Sequence, residues 1–140
     1  MIPRFRFFGK VADGKMRMVS ADCIDFENGF IYYSYRSYTV EGDEYADGDC
    51  IDLEDCVLMQ STGLLDKNGK EIFEMDILKC TSFDGSLWYE TVSWDSTLAG
   101  FATQQDGYDA TAISYITDSK AITIEIVGNI YEIFTRKNND

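Results

Sequence analysis

The segment Leu58–Leu78, LMQSTGLLDKNGKEIFEMDIL, constrains this chain more than any other part of it. Two apolar runs stand on either side of the turn formers Asp66-Lys67-Asn68-Gly69-Lys70. That pattern folds the flanking runs back on each other as an antiparallel hairpin. Asn68 and Gly69 suit left-handed positions at the tip, and Ile72, Ile77 and Leu78 are expected to fill a core behind it. Gly63, just before the turn, and the acidic step Glu74-Met75-Asp76, just after it, complete the segment.

The rest of the chain is written the same way, as short strand-forming runs between turn signals. Arg4–Phe8 and Lys15–Val19 flank a turn containing Asp13-Gly14, a hairpin pattern. Phe30–Tyr35 is aromatic and follows Asn28-Gly29. Glu41–Asp49 reads as an acidic, Gly-containing loop. Val57–Gln60 and Asp76–Thr81 read as strands on either side of the Asp66–Lys70 turn. Leu87–Trp94 and Gly100–Thr103 form a further antiparallel pair joined through Asp95–Ala99. Ala110–Ile116 is expected as a short helix with Asp109 at its N-cap. Ile122, Ile124 and Ile126 alternate with Thr123 and Glu125, the period of a strand with one buried face. That strand leads into Val127-Gly128-Asn129-Ile130-Tyr131, where Gly128-Asn129 suits a bulge or turn. Arg136–Asp140 is expected to fray. There is no repeat, and Pro3 is the one proline. The expectation is a single domain over 1–140, mainly β: a small barrel-like or antiparallel-sheet fold with one or two short helices, with α+β as the alternative. A chain of this length buries roughly two-thirds of its unfolded surface.

Charge is distributed unevenly. Residues 1–21 carry five bases against Asp13, whereas residues 22–56 carry eleven acids against Arg36 alone. The total of -13 disfavours direct binding to nucleic acid, because each nearby carboxylate opposes the counterion release that drives it. No apolar run approaches the ~18 residues of a membrane helix, and Arg4 and Arg6 interrupt any apolar leader. The expected setting is the bacterial host cytoplasm, in soluble form and away from membranes.

Catalysis is narrowed by what is missing. The chain has no His, so Ser-His, Cys-His and His-metal arrangements are excluded. Cys23, Cys50, Cys56 and Cys80 contain no Cys-x-x-Cys pair and are expected as free thiols, with Cys80 a small core residue. Counting from Asp43, the acidic stretch matches an EF-hand loop at Asp47, Gly48 and Glu54, but Tyr45 stands where a third oxygen ligand is needed. Neither metal nor cofactor is expected.

Several pieces in order resemble the YopX family of phage and prophage proteins. The central one is Met59–Leu64 with Asp66–Glu74 and Asp76-Ile77. Phe5-Arg6 with Lys15-Met16 is similar to the family's opening hairpin. Val92, Trp94-Asp95 and Gly100-Phe101 resemble its middle strand pair, and Val127–Glu132 its closing motif. The acidic 21–57 region matches little, as the family's variable part. Met75 stands where the family usually has Gly. A left-handed backbone there would cost Met roughly 1 kcal/mol or more, so an ordinary backbone or a shifted turn is expected. The resemblance implies a β-rich, phage-encoded protein that self-associates, and it brings no catalytic residues.

Glu74 and Asp76, two apart in an extended segment, would project to one face and could work as an acid/base pair or hold a metal. The competing reading has Asp76 accepting backbone N–H bonds while Glu74 stays solvated. The motif residues Gly63, Asp66, Asn68, Gly69, Glu74, Asp76, Trp94, Gly128 and Asn129 are thus expected to be structural. Function is expected in a non-enzymatic interaction module that binds itself and a host or phage protein. Its candidate surface is the acidic set Asp43, Glu44, Asp47 and Asp49, with Tyr32, Tyr33, Tyr35 and Tyr38 as further interface candidates. The alternatives are an acidic DNA mimic that occupies a host nucleic-acid-binding protein and, last, a carboxylate- or metal-dependent enzyme.

Overall fold

Turn chemistry sets where the strands of this protein break. The computed structural model describes residues 2–132, and the expected frayed tail, Arg136–Asp140, lies outside them. The chain divides into two compact units, one spanning Arg4–Met59 and the other running from Gln60 onward together with residues 2–3. Twelve strands are present among the described residues, every resolved pairing antiparallel, with two short helices. The fold is mainly β.

In the first unit, β1 (Phe5–Lys10) and β2 (Met16–Ser20) pair from Arg6↔Ser20 to Lys10↔Met16. Their turn closes because Gly14 adopts φ 78°, and Asp13 Oδ1 accepts the Lys15 N–H at 3.0 Å. A second sheet runs in the order β3 (Cys23–Asp25), β4 (Phe30–Tyr38), β5 (Glu44–Asp52), followed by a single 3-10 turn at Leu53–Asp55. The β4–β5 ladder is nine pairs long, from Phe30↔Asp52 to Tyr38↔Glu44. This overturns the expected loop over Glu41–Asp49, most of which is strand. Aspartates are poor strand formers, but nine ladder pairs with an aromatic neighbour outweigh that preference. Phe7, Ile31, Tyr33 and Ile51 form this unit's buried core, with the Phe7 and Tyr33 rings 5.3 Å apart and edge-to-face.

β6 (Cys56–Leu65) carries the chain from the first unit into the second, where it pairs with β7 (Glu71–Phe73). The Asp66–Lys70 turn therefore closes β6 onto β7. The strand after it, β8 (Asp76–Ser82), instead enters a five-stranded sheet with β9 (Leu87–Asp95), β10 (Gly100–Gln104), β11 (Thr111–Ala112) and β12 (Ile122–Asn129). The order is β11-β10-β9-β8-β12. The β9–β10 pair and the alternating β12 stand where the sequence placed them. The expected helix over Ala110–Ile116 does not form as a unit: Thr111 and Ala112 extend the sheet against β10, and the helix α1 is the single turn Ser114–Thr117. Asp109 caps nothing there, because the N-cap position is Ile113. Ile72, Leu78, Cys80, Val92, Ile116 and Ile124 make the core of this unit. Burying a side chain such as Leu78 completely contributes about 1.5–3 kcal/mol.

Candidate interaction surface

The expected motif residues all lie in the second unit, where the side chains of Asp66, Glu74, Asp76 and Asn129 accept backbone N–H groups. Gly63, at φ 78°, sits in β6 where the register with β7 shifts between Ser61 and Leu65. Asp66 is buried, and its Oδ1 accepts the N–H groups of Asn68 and Lys70, both at 2.9 Å. Its Oδ2 accepts the Ile126 N–H at 3.0 Å, sixty residues away on β12. Burial pushes the Asp66 pKa up, but the bonds from Ile126, Lys70 and Asn68 together outweigh it and hold it below the ordinary value. Gly69 takes the left-handed position at φ 79°, whereas Asn68 does not, since a turn of this kind needs one such residue.

The acidic step departs from what its spacing suggested. Glu74 and Asp76 do not share one extended segment, because Met75 between them lies at φ 70°. The expected ordinary backbone at Met75 is thus overturned. Its N–H donates to the Val92 carbonyl at 2.8 Å and its carbonyl accepts from Ile130 at 3.2 Å, bonds that hold the unfavourable conformation. Asp76 is 2% exposed and accepts the Phe73 N–H at 2.8 Å, as the structural reading expected. Glu74 is not simply solvated: its Oε1 accepts the Gln60 N–H at 2.8 Å while its own N–H donates to the Gln60 carbonyl. Trp94 stacks edge-to-face on Phe101 at 5.3 Å. Gly128 follows a bulge in β12. Asn129 Oδ1 accepts the N–H groups of Tyr131 and Glu132, the geometry of a helix cap.

Cys80 is fully buried, and its thiol pKa is pushed up to about 12, first by burial and then by the neighbouring Glu90 carboxylate. Glu90 Oε2 accepts the Trp88 indole N–H at 2.9 Å. All four cysteines, Cys80 included, are free thiols. Among the described residues, no group of three acidic or Cys side chains is placed to hold a metal ion. Most of the EF-hand spacing of Asp43–Glu54 runs along the extended strand β5, which does not form the loop that wraps a cation.

The four acidic candidates sit on the β4–β5 hairpin of the first unit. Asp43 ends its tight turn, where Thr39 Oγ1 accepts the Asp43 N–H at 3.0 Å. Register and strand alternation place Asp47 and Asp49 opposite Tyr35 and Tyr33, on the face that continues into the core through Ile51 and Ile31. Glu44 points to the other face, where Arg36 reaches it at 3.6 Å. The structure therefore brings Asp47 and Asp49 together and separates them from Glu44. Tyr35 donates its hydroxyl to Asp47 Oδ2 at 3.3 Å. Burial, then the nearby carboxylates, raises the pKa values of Tyr33 and Tyr35.

A cleft of about 550 Å³ adjoins this face, walled by Val11, Asp13, Arg17, Tyr33, Tyr35 and Arg36. Arg17 grips Asp13 through Nε at 2.8 Å and Nη2 at 2.6 Å, and that bond foremost holds the Asp13 carboxyl below its ordinary pKa. Sequence reasoning missed this pair. Its signal was the Asp-Gly-Lys-Met-Arg step, which returns position 17 alongside position 13 once the turn closes.

The family model described as YopX protein matches residues 5–133. Among solved structures, protein EF1440 from Enterococcus faecalis is similar at 25% identity and TM-score 0.56, covering 94% of this chain and 95% of that one. Protein yopX from Bacillus subtilis is similar in fold at 20% identity and TM-score 0.53, covering 92% and 93%. The curated proteins contain no match.

Proposed function

The chain belongs to the YopX family, and on that footing we propose a phage or prophage accessory protein that works as a non-enzymatic interaction module in the bacterial cytoplasm. It assembles with itself and contacts a host or phage protein through the acidic β4–β5 hairpin. The observation that carries this reading is β5 itself, a nine-residue strand exposed along its length except at Ile51, with carboxylates on both faces and an aromatic cleft beside it. Such a surface selects a basic partner and speeds its approach electrostatically.

The register weighs against the DNA-mimic alternative, since alternation splits the carboxylates between faces and forms no single phosphate-like row. The enzymatic alternative has less support, because Glu74 and Asp76 each accept a backbone N–H and do not share one extended segment. No helix among the described residues is long and apolar enough to cross a membrane.

Affinity capture from host lysate, comparing the wild type with the D43N/E44Q/D47N/D49N variant, tests the contact surface. A partner retained by the wild type, weakened by salt and lost by the variant is expected. Equal capture by both proteins overturns the assignment of the hairpin, and competition by duplex DNA would favour the mimic. Light scattering tests self-association, and a monomer at all concentrations would refute it.

A further inference from the structure

β5 is the last strand in the order β3-β4-β5, so one side of it has no ladder partner among the described residues. The side that faces outward follows from the hydrogen bonds of β4. Asp22 N–H donates to the Tyr32 carbonyl at 2.8 Å, so even-numbered residues of β4 turn toward β3 and odd-numbered ones toward β5. Tyr33 stands opposite Asp49 and Tyr35 opposite Asp47, so the odd residues of β5 bond inward. Glu44, Ala46, Gly48, Cys50 and Asp52 therefore direct their backbone groups to the free edge. An edge of this length is a template for another strand. Gly48 leaves its centre bare, with no side chain to shield the backbone.

Two of the outward N–H groups are already occupied. Asp47 Oδ1 accepts the Gly48 N–H at 2.8 Å, and Asp49 Oδ1 accepts the Cys50 N–H at 2.8 Å. We propose that Asp47 and Asp49 close the β5 edge against strand addition, and that without them β5 pairs antiparallel with β5 of a second copy of this chain. An incoming strand must offer its carbonyl oxygens to the same two N–H groups. It would displace both carboxylates and set its carbonyls beside their charge. Pairing about a two-fold axis at Gly48 is self-complementary, and it sets Asp47 of each copy against Asp49 of the other. Four carboxylates would then crowd the middle of the ladder, where like charges directly opposite one another destabilise it. Arg36 does not relieve them, because it lies on the opposite face with Glu44. Tyr35 donates to Asp47 without neutralising it.

The closure stands on backbone geometry and is separable from the partner reading above. Hydrogen exchange on the D47A/D49A protein, below the concentration at which it associates, should show protection factors at Gly48 and Cys50 lowered about threefold to tenfold. Protection at Tyr33 and Ile51 should stay unchanged, which establishes that the sheet is intact. Sedimentation should show stronger self-association than the wild type, and adding Ala46→Pro should reverse it by removing an outward N–H. The D47N/D49N protein keeps both acceptors and loses only charge, so its Gly48 and Cys50 protection should persist while its association still rises. Unchanged protection in the Ala variant, or unchanged association in both variants, overturns the closure. Neither result bears on capture of a host partner by the wild type, and sedimentation of the D43N/E44Q/D47N/D49N protein at the capture concentration separates a lost contact surface from one covered by β5 pairing.

Discussion

Met75 lies in the left-handed region at φ 70°, a conformation that ordinarily favours Gly. The Cβ of an L residue there crowds the following carbonyl at a cost of roughly 1–2 kcal/mol. The bonds to Val92 and Ile130 fix the conformation, so the strain cannot relax away. Comparing Met75→Gly with Met75→Ala isolates this effect from lost side-chain packing. At an ordinary position Gly is the less stable of the two by up to ~1 kcal/mol. Here Gly should be the more stable by about 1 kcal/mol in urea unfolding, and the usual order would refute left-handed strain. Thr103 poses the opposite problem, a polar group among apolar ones. It is fully buried opposite Val92, and its Oγ1 has no hydrogen-bond partner. An unsatisfied buried polar group costs about 1–3 kcal/mol. The isosteric Thr103→Val should therefore raise stability by about 1 kcal/mol, and a lower melting temperature would show that the hydroxyl is satisfied.

Elements meet where small residues permit it. Gly9 lies in β1 without an unusual φ, and its importance is spatial. A Cβ there would stand 2.8 Å from both Cys56 Cβ and Ile51 Cδ1. Ile51 can swing its methyl away, but Cys56 Cβ is fixed to backbone. Gly9→Ala should therefore destabilise by about 1–3 kcal/mol, read as a lower urea midpoint with an unchanged slope. Nothing local in the sequence marks that contact, because its partners lie more than forty residues away. The elements that were legible carry their reason locally: the Asp13-Gly14 turn, the alternation of Ile122, Ile124 and Ile126, and the turn residues Asp66–Lys70. The elements misread depend on neighbours. Glu41–Asp49 looks like a loop until β4 supplies nine ladder pairs, and Thr111-Ala112 looks helical until β10 pairs with it. The acidic surface was legible as composition. Its division between two faces was not, because alternation means nothing until the strand is known to be one.

Over the molecule as a whole, charge and fold are coupled through pH. The carboxyls of Asp13, Asp25, Asp66 and Asp84 all lie below their ordinary pKa, the last at about 2. The cause at Asp13 is first the Arg17 hydrogen bond, at Asp25 the Asn28 side chain, and at Asp84 the Ser82 hydroxyl. A carboxyl with a depressed folded pKa binds fewer protons when folded than when unfolded. Its contribution is complete above the unfolded value near 3.8 and disappears as pH falls through the folded one. Relief of repulsion within the acidic 22–56 stretch would act in the opposite sense. It gains little there, because exposed like charges on a strand are already screened by water and salt. Thermal stability should therefore be level from pH 7 to about 5 and fall steadily below about 4. Asp66 should supply much of that acid limb, being the buried member of the set and the one that ties the β6–β7 turn to β12. Asp66→Asn should lower stability at neutral pH and flatten the limb between about pH 4 and 2. A melting temperature that instead rises on acidification would mean that repulsion in the acidic segment outweighs these bonds.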